Sequence, residues 1–269
     1  MKLVDVHRGE GALLLAQPHC GLWLPDDILG RLNDRGRKLA DTDWHINRLY
    51  EGLAENATIV TAQAHRYVVD ANRDPTDSSL YPGQNTTSLC PTTDFYGEPI
   101  YQPGQSPSAD EVEQRQQTYH QPYHDALAEE LQRLHRLHGY VILYDCHSIR
   151  SRVPFLFEGI LPDLNIGTNS GLSCDAVLQR AVAETCETYL PSEQYSWVEN
   201  GRFRGGWTTR HYGQPDTGYH ALQMEISQRC YMEEEQPWRY LPAKARQLRA
   251  LLKKLLSALQ IEKPLAGTP

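Results

Sequence analysis

The sequence predicts an α/β domain in which a mixed, largely parallel central sheet is flanked by helices. Three observations carry this expectation. Short, continuous apolar runs end abruptly in polar clusters marked by Gly or Pro, as buried strands do. Amphipathic helical stretches fill the intervals between those runs. Strands and helices therefore alternate, which is the order that builds a sheet covered on both faces. A chain of 269 residues fits one large domain or two small ones, and the reading adopted is a single catalytic domain over 1–269.

In chain order, Leu13-Leu14-Leu15-Ala16 is the first buried strand and runs into Gln17-Pro18-His19-Cys20-Gly21. Residues 57–62 read as the next strand, after which Arg66-Tyr67-Val68-Val69 leads into Asp70-Ala71-Asn72-Arg73-Asp74-Pro75. From about 74 to 119 periodicity fails and prolines recur (Pro75, Pro82, Pro91, Pro99, Pro103, Pro107), so a long loop excursion across one face of the sheet is expected. Residues 125–137 place Ala126, Leu127, Leu131, Leu134 and Leu137 mostly at three- and four-residue spacing, a helix. His120, His124, His135 and His138 read as surface residues of that helical region. Residues 140–143 form a strand entering Tyr144-Asp145-Cys146-His147-Ser148. Ser173 suits the N-cap of a helix over 175–190 that Pro191 would stop. Residues 221–226 form a strand that holds Glu225 in an otherwise apolar run. Pro242 opens a last amphipathic helix over 243–259, before a tail at 262–269 expected to fray.

Composition narrows the function. The formal charge of -8 gives no electrostatic footprint for nucleic acid. No stretch approaches the ~20 apolar residues of a spanning helix, and no signal-type segment opens the chain. The 6 Cys are scattered without a CxxC pair, which predicts reduced thiols and a cytoplasmic location. The 26 basic residues divide into 20 Arg and only 6 Lys. Seven of those Arg (Arg66, Arg73, Arg150, Arg152, Arg202, Arg204, Arg210) lie in or beside the polar clusters, which contain no Lys. Arg favours bidentate capture of carboxylates, so an acidic protein with a locally positive pocket for a small dianion is expected. Arg202 and Arg204 read as solvated. The sequence is silent on oligomeric state.

In open α/β sheets, sites gather beyond the carboxyl ends of the strands, where the polar clusters fall. His19 and His147 suit neutral imidazole ligands, and Asp43 in Asp41-Thr42-Asp43-Trp44-His45 supplies a carboxylate. Two His and one carboxylate with an open position make a catalytic zinc set, although other divalent transition metals use the same ligands. Glu225 sits where a buried general base would, giving metal-assisted hydrolysis. Each residue also has a plain structural reading: a lone His is more often structural, and Glu225 could pair with an Arg. His45 stays open as neighbour, ligand or helix-face residue.

The chain resembles the N-formylglutamate deformylase (N-formylglutamate amidohydrolase) family, related to zinc carboxypeptidases and aspartoacylases. The segments that carry the likeness are Pro-His-Cys-Gly at 18–21, Thr-Asp-Trp-His at 42–45, Arg-Tyr-Val-Val-Asp-Ala-Asn-Arg-Asp-Pro at 66–75, Asp-Cys-His-Ser at 145–148, the stretch 153–168, Asn-Gly-Arg-Phe-Arg-Gly-Gly-Trp-Thr-Thr-Arg-His-Tyr-Gly at 200–213 and Gln-Met-Glu-Ile at 223–226. The resemblance implies a zinc-carboxypeptidase-like (phosphorylase/hydrolase-like) fold. It further implies His19 and His147 as ligands, Asn72-Arg73 as the clamp on a substrate carboxylate, and Glu225 as general base. One departure stands out: the wider group has a ligand Glu three residues after the first His, where this chain has Leu22. Asp43 is taken as the replacement and His45 as the fallback.

The implied reaction is hydrolysis of N-formyl-L-glutamate to formate and L-glutamate, the last step of a histidine-degradation route. Arg150 or Arg210 would hold the second carboxylate, and by family analogy Arg66 would stabilise the oxyanion. The rival readings are a deacylase for another N-acyl acidic amino acid and a non-catalytic acidic-ligand binder with a structural metal.

Overall fold

A computed structural model describes residues 2–78, 83, 85–193 and 195–264. Its seven strands are β1 (Val4–His7), β2 (Leu13–Gln17), β3 (Thr58–Ala62), β4 (Val141–Ile149), β5 (Leu164–Gly167), β6 (Trp197–Glu199) and β7 (Tyr219–Ser227). They form one sheet in the order β1-β3-β2-β4-β7-β5-β6. The four inner strands β3, β2, β4 and β7 run parallel, whereas β1 pairs antiparallel with β3 and β5 antiparallel with β7. The sheet is thus mixed and largely parallel, as the sequence predicts. β1, β5 and β6 were not anticipated; they are short, and β1 alternates in burial as an edge strand does.

Alternation along the strands sorts the core into two layers. Leu13 and Leu15 of β2, with Ile142 and Tyr144 of β4 and Leu222 and Met224 of β7, face one side. There they meet α2 (Ile46–Tyr50), α5 (Ala176–Glu193) and α7 (Pro242–Ile261), the last burying Leu248, Leu251, Leu252, Leu255, Leu256 and Leu259. Leu14, Ala16, Val60, Leu143 and Ala221 face the other side, against Tyr123, Leu127, Leu131 and Leu134 of α4 (Gln121–His138). Covering both faces explains why β2 and β4 read as unbroken apolar runs.

Several boundaries differ from expectation, each for a local reason. α4 starts four residues earlier than 125 and ends at Gly139, whose positive φ of 76° lets its N–H bond the His135 carbonyl. Ser173 does not cap α5: its hydroxyl donates to the Ala221 carbonyl (2.8 Å), while Asp175 Oδ1 accepts from Val177 N (2.9 Å). The helix continues past Pro191 to Glu193. The excursion at 74–119 is only partly a loop. From Ala109 the chain is helical, first as α3 (Ala109–Arg115) and then as a π turn over Gln116–His120 that runs into α4. Ser108 caps α3 by accepting from Glu111 N (3.3 Å), a capping signal that the proline-rich composition masks. Two short helices, α1 (Asp26–Arg31) and α6 (Trp207–Tyr212), complete the set among the described residues. Of the tail at 262–269, residues from 265 lie outside the described ones. No helix among the described residues is long and apolar enough to cross a membrane.

One buried group ties the fold to pH. His220, at the start of β7, accepts from Asp175 N through Nδ1 (3.2 Å), and burial pushes its pKa down to about 4. The folded value lies below the unfolded one near 6.5, so the unfolded chain binds the proton more readily. Its contribution to stability is therefore complete above pH ~6.5 and is lost as pH falls toward the folded value. The melting temperature is expected to drop over that window. His220→Asn, which keeps an acceptor at the Nδ1 position, should flatten the drop; an unchanged slope would remove His220 from the account.

Candidate metal centre and substrate cleft

The parallel strands deliver their carboxyl ends to one edge of the sheet. The crossover from β3, on one side of β2, to β4 on the other makes β2 a switch point, and His19 follows β2 directly. His147 near the end of β4 is paired in register with Glu225 of β7, so the two side chains stand beside each other on one face. Asp43 arrives from the turn before α2, anchored by its N–H bonding the His19 carbonyl (3.1 Å). The segment after β3 contributes Arg66, Asp70, Asn72 and Arg73.

His19, Asp43 and His147 are all buried, and one ligand atom from each lies within 4.8 Å of the others. Asp43 Oδ2 is 3.8 Å from His19 Nδ1 and 3.1 Å from His147 Nδ1. Their surroundings fix the tautomer of one ring. His19 Nε2 donates to Asp70 Oδ1 (2.7 Å), leaving Nδ1 buried without a hydrogen-bond partner and close to Asp43. Burial and the Arg66 charge hold this imidazole's pKa below its ordinary value, which is the state of a metal ligand. His147 Nε2 lies 3.0 Å from Asp145 Oδ2; burial alone would lower its pKa, but Asp145 and Asp43 raise it well above the usual value. Burial would likewise raise Asp43, yet the His147 hydrogen bond and the charges of His19, His147 and Arg66 bring it down. An orphaned imidazole nitrogen, a second imidazole and a carboxylate, with Asp70 and Asp145 behind the two rings, fit a divalent cation. His45 is elsewhere: its Nε2 donates to the Trp238 carbonyl (2.7 Å) and its ring meets the Tyr240 edge. Leu22 is half exposed, outside the cluster.

The cleft over this cluster opens to solvent and, counting the space at its mouth, spans about 660 Å³. Its buried floor is His19, Asp43, His147 and Glu225; its half-buried rim includes Thr86, Thr87, Leu156, Arg202 and Phe203. Burial, against the pull of His147 and with the push of Asp43, raises Glu225 to about 8. A carboxylate with proton affinity near neutrality suits proton transfer. Gln223, two residues earlier on the same face, donates to Glu225 Oε2 (3.4 Å) and accepts from Gly206 N (2.6 Å). Glycine at 206 leaves room for the Asn72 side chain, since a Cβ there would stand 2.4 Å from its amide and push it aside.

Among the arginines the structure redistributes the expectations. Arg66 lines the cleft, buried, with its Nη2 donating to Asp70 (2.7 Å), its Nη1 to Asp43 (3.3 Å), and its guanidinium 4.6 Å above the Phe95 ring. Asn72 and Arg73 also line it, with Arg73 Nη2 donating to Thr87 Oγ1 (2.9 Å) and Asn72 Oδ1 accepting from Thr208 N (2.9 Å). Arg150 and Arg210 do not. Arg150, just past the end of β4, turns to Asp41 Oδ1 (2.7 Å) and the Ala40 carbonyl (3.0 Å). Arg210 on α6 folds back on the Gly205 carbonyl (2.9 Å). Arg202, expected to be solvated, is instead in the wall of the cleft, its Nε donating to the Leu156 carbonyl (2.8 Å). Asp70 and Asp145 were missed as ring partners, although both lie inside the quoted motifs. The two thiols beside the ligand set are not ready nucleophiles, since burial pushes Cys20 up to about 12 and Cys146 well above its ordinary value.

Comparison with known proteins places nearly the whole chain in one family. The model of the family described as N-formylglutamate amidohydrolase matches residues 11–232. The chain is 44% identical over 259 residues to the N-formylglutamate deformylase of Pseudomonas putida and 45% identical to that of Pseudomonas aeruginosa, covering 96% of both chains in each case. Among solved structures, the N-formylglutamate amidohydrolase of Ralstonia eutropha superposes with a TM-score of 0.77 at 24% identity, covering 96% of this chain and 97% of that one. An Agrobacterium tumefaciens protein gives 0.70 at 21% identity, covering 96% and 95%. With a family match that begins before β2 and ends after β7, and relatives aligned over nearly their full length, the chain belongs to the N-formylglutamate amidohydrolase family.

Proposed function

We propose that this enzyme hydrolyses N-formyl-L-glutamate to formate and L-glutamate, with a zinc ion held by His19, Asp43 and His147. The observation that carries the reading is the juxtaposition of that buried ligand set with Glu225 at the floor of a cleft walled by Arg66, Arg73 and Arg202. When bound there, zinc supplies a Lewis acid for the formyl group and acidifies the attacking water. Glu225 takes a proton from that water and returns it to the departing amine nitrogen as the C–N bond breaks. Asn72 and Arg73 hold one substrate carboxylate, and Arg202 takes the second in place of Arg150 and Arg210. Arg66 contributes fixed positive charge toward the developing oxyanion: burial would lower its pKa, but Asp70 and Asp43 keep it charged.

The test compares formate release from N-formyl-L-glutamate with turnover of N-formyl-L-glutamine and N-acetyl-L-glutamate. The first should be preferred, and Arg202→Met should narrow the glutamate-over-glutamine preference by about tenfold or more, the scale of one charged contact. Preference for the acetyl substrate would replace the reading with the deacylase alternative.

A further inference from the structure

The segment 66–73 carries four cleft residues, Arg66, Asp70, Asn72 and Arg73, on one side. Its other side is held by a single helical rod, α3 through the π turn into α4. Arg115 Nη1 donates to the carbonyls of Tyr67 (3.3 Å) and Val68 (3.2 Å). His124 Nε2 donates to the Ala71 carbonyl (2.8 Å) and His120 Nε2 to the Arg73 carbonyl (3.0 Å). Three side chains from the rod thus satisfy four carbonyls of a segment with no strand or helix of its own, in which an unpaired buried carbonyl would be costly.

The π turn over Gln116–His120 lets this happen. In an unbroken α-helix, five residues rotate a side chain by roughly 140°, so Arg115 and His120 would point apart. Bonds of the i→i+5 kind bring them back to one face. His120 and His124 are then one ordinary turn apart, their rings 4.3 Å from each other. Both are buried, and the Trp207 ring closes over them at 5.7 and 4.7 Å. The Ala71 carbonyl can only accept, so His124 carries its N–H on Nε2, and Nδ1 faces Tyr212 Oη at 3.1 Å. Trp207 and Tyr212 belong to α6, whose Thr208 N–H fixes the Asn72 side chain.

We propose that His120 and His124 are positioning residues. They fix the peptide carbonyls on either side of Asn72 and so aim the Asn72 and Arg73 side chains at the substrate carboxylate. The inference rests on the reading of Asn72 and Arg73 as the carboxylate clamp.

His120→Leu and His124→Leu remove the donors while keeping bulk, and His→Gln at each site restores an N–H near the Nε2 position. Steady-state kinetics with N-formyl-L-glutamate should show each Leu variant raising KM about tenfold with kcat and metal content close to wild type, because a lost binding contact shows in KM. The Gln variants should recover most of that loss. In an Arg73→Lys background, the Leu substitutions should raise KM little further, since coupled residues are non-additive. A lowered melting temperature with unchanged KM would overturn the inference and leave the histidines purely structural, as would KM effects that simply add to those of Arg73→Lys. An Arg73→Lys variant with unchanged KM would overturn the clamp reading itself. If one Leu variant does not fold, the other site and the Gln pair decide between these outcomes.

Discussion

Glu225→Gln is expected to lower turnover by roughly 10²–10⁴-fold while substrate affinity stays near that of the unaltered enzyme, because a positioned proton acceptor acts on the chemical step. The substitution keeps size and keeps an oxygen for Gln223 to donate to, so the local packing has no reason to change. Glu225 does not itself hold the metal set together; it stands beside His147 across the β4–β7 pairing. Kinetics of formate release, with product binding followed separately by calorimetry, separate the two effects. Wild-type turnover in the variant would move the base elsewhere, and loss of binding with turnover intact would make Glu225 a substrate contact.

Asp43→Ala is expected to abolish metal retention and, with it, activity to background, whereas His45→Ala should keep both. The geometry motivates the contrast: Asp43 faces both imidazoles, while His45 is spent on the Trp238 carbonyl and the Tyr240 edge. Removing Asp43 also takes one of two buried counter-charges from each of Arg66 and His147, whose other partners are Asp70 and Asp145, so some loss of stability accompanies it. Metal content after dialysis, read together with formate release, checks the pair. Full metal occupancy in Asp43→Ala would take the third ligand away from this carboxylate.

How far the sequence speaks depends on what each signal encodes. Continuous apolar runs exposed the inner strands because both of their faces are covered; β1, β5 and β6 have only four, four and three residues and show no such run. The ligand candidates were legible since polar residues directly after buried strands must fall at one edge of a parallel sheet. What failed was orientation. A loop such as Asn200-Gly201-Arg202-Phe203-Arg204 has no period that says which side chain turns inward, so the sequence points to Arg150 and Arg210 where the structure lines the cleft with Arg202. His120 and His124 failed for a related reason: the π turn shifts the helical face, and a strict 3.6-residue count places it wrongly. Asp70 carried a readable signal, a carboxylate four residues after Arg66 in a polar cluster, but its partner His19 is 51 positions away in sequence.

The central claim is that formate release from N-formyl-L-glutamate depends on one metal ion at His19, Asp43 and His147. Its most direct measurement is a titration of zinc into chelator-stripped enzyme, with formate release and bound metal followed together. The account predicts activity that rises in proportion to bound metal and saturates at one ion per chain, with Asp43→Ala failing to recover. Full formate release by the stripped enzyme, or recovery in Asp43→Ala equal to that of the unaltered chain, would contradict it.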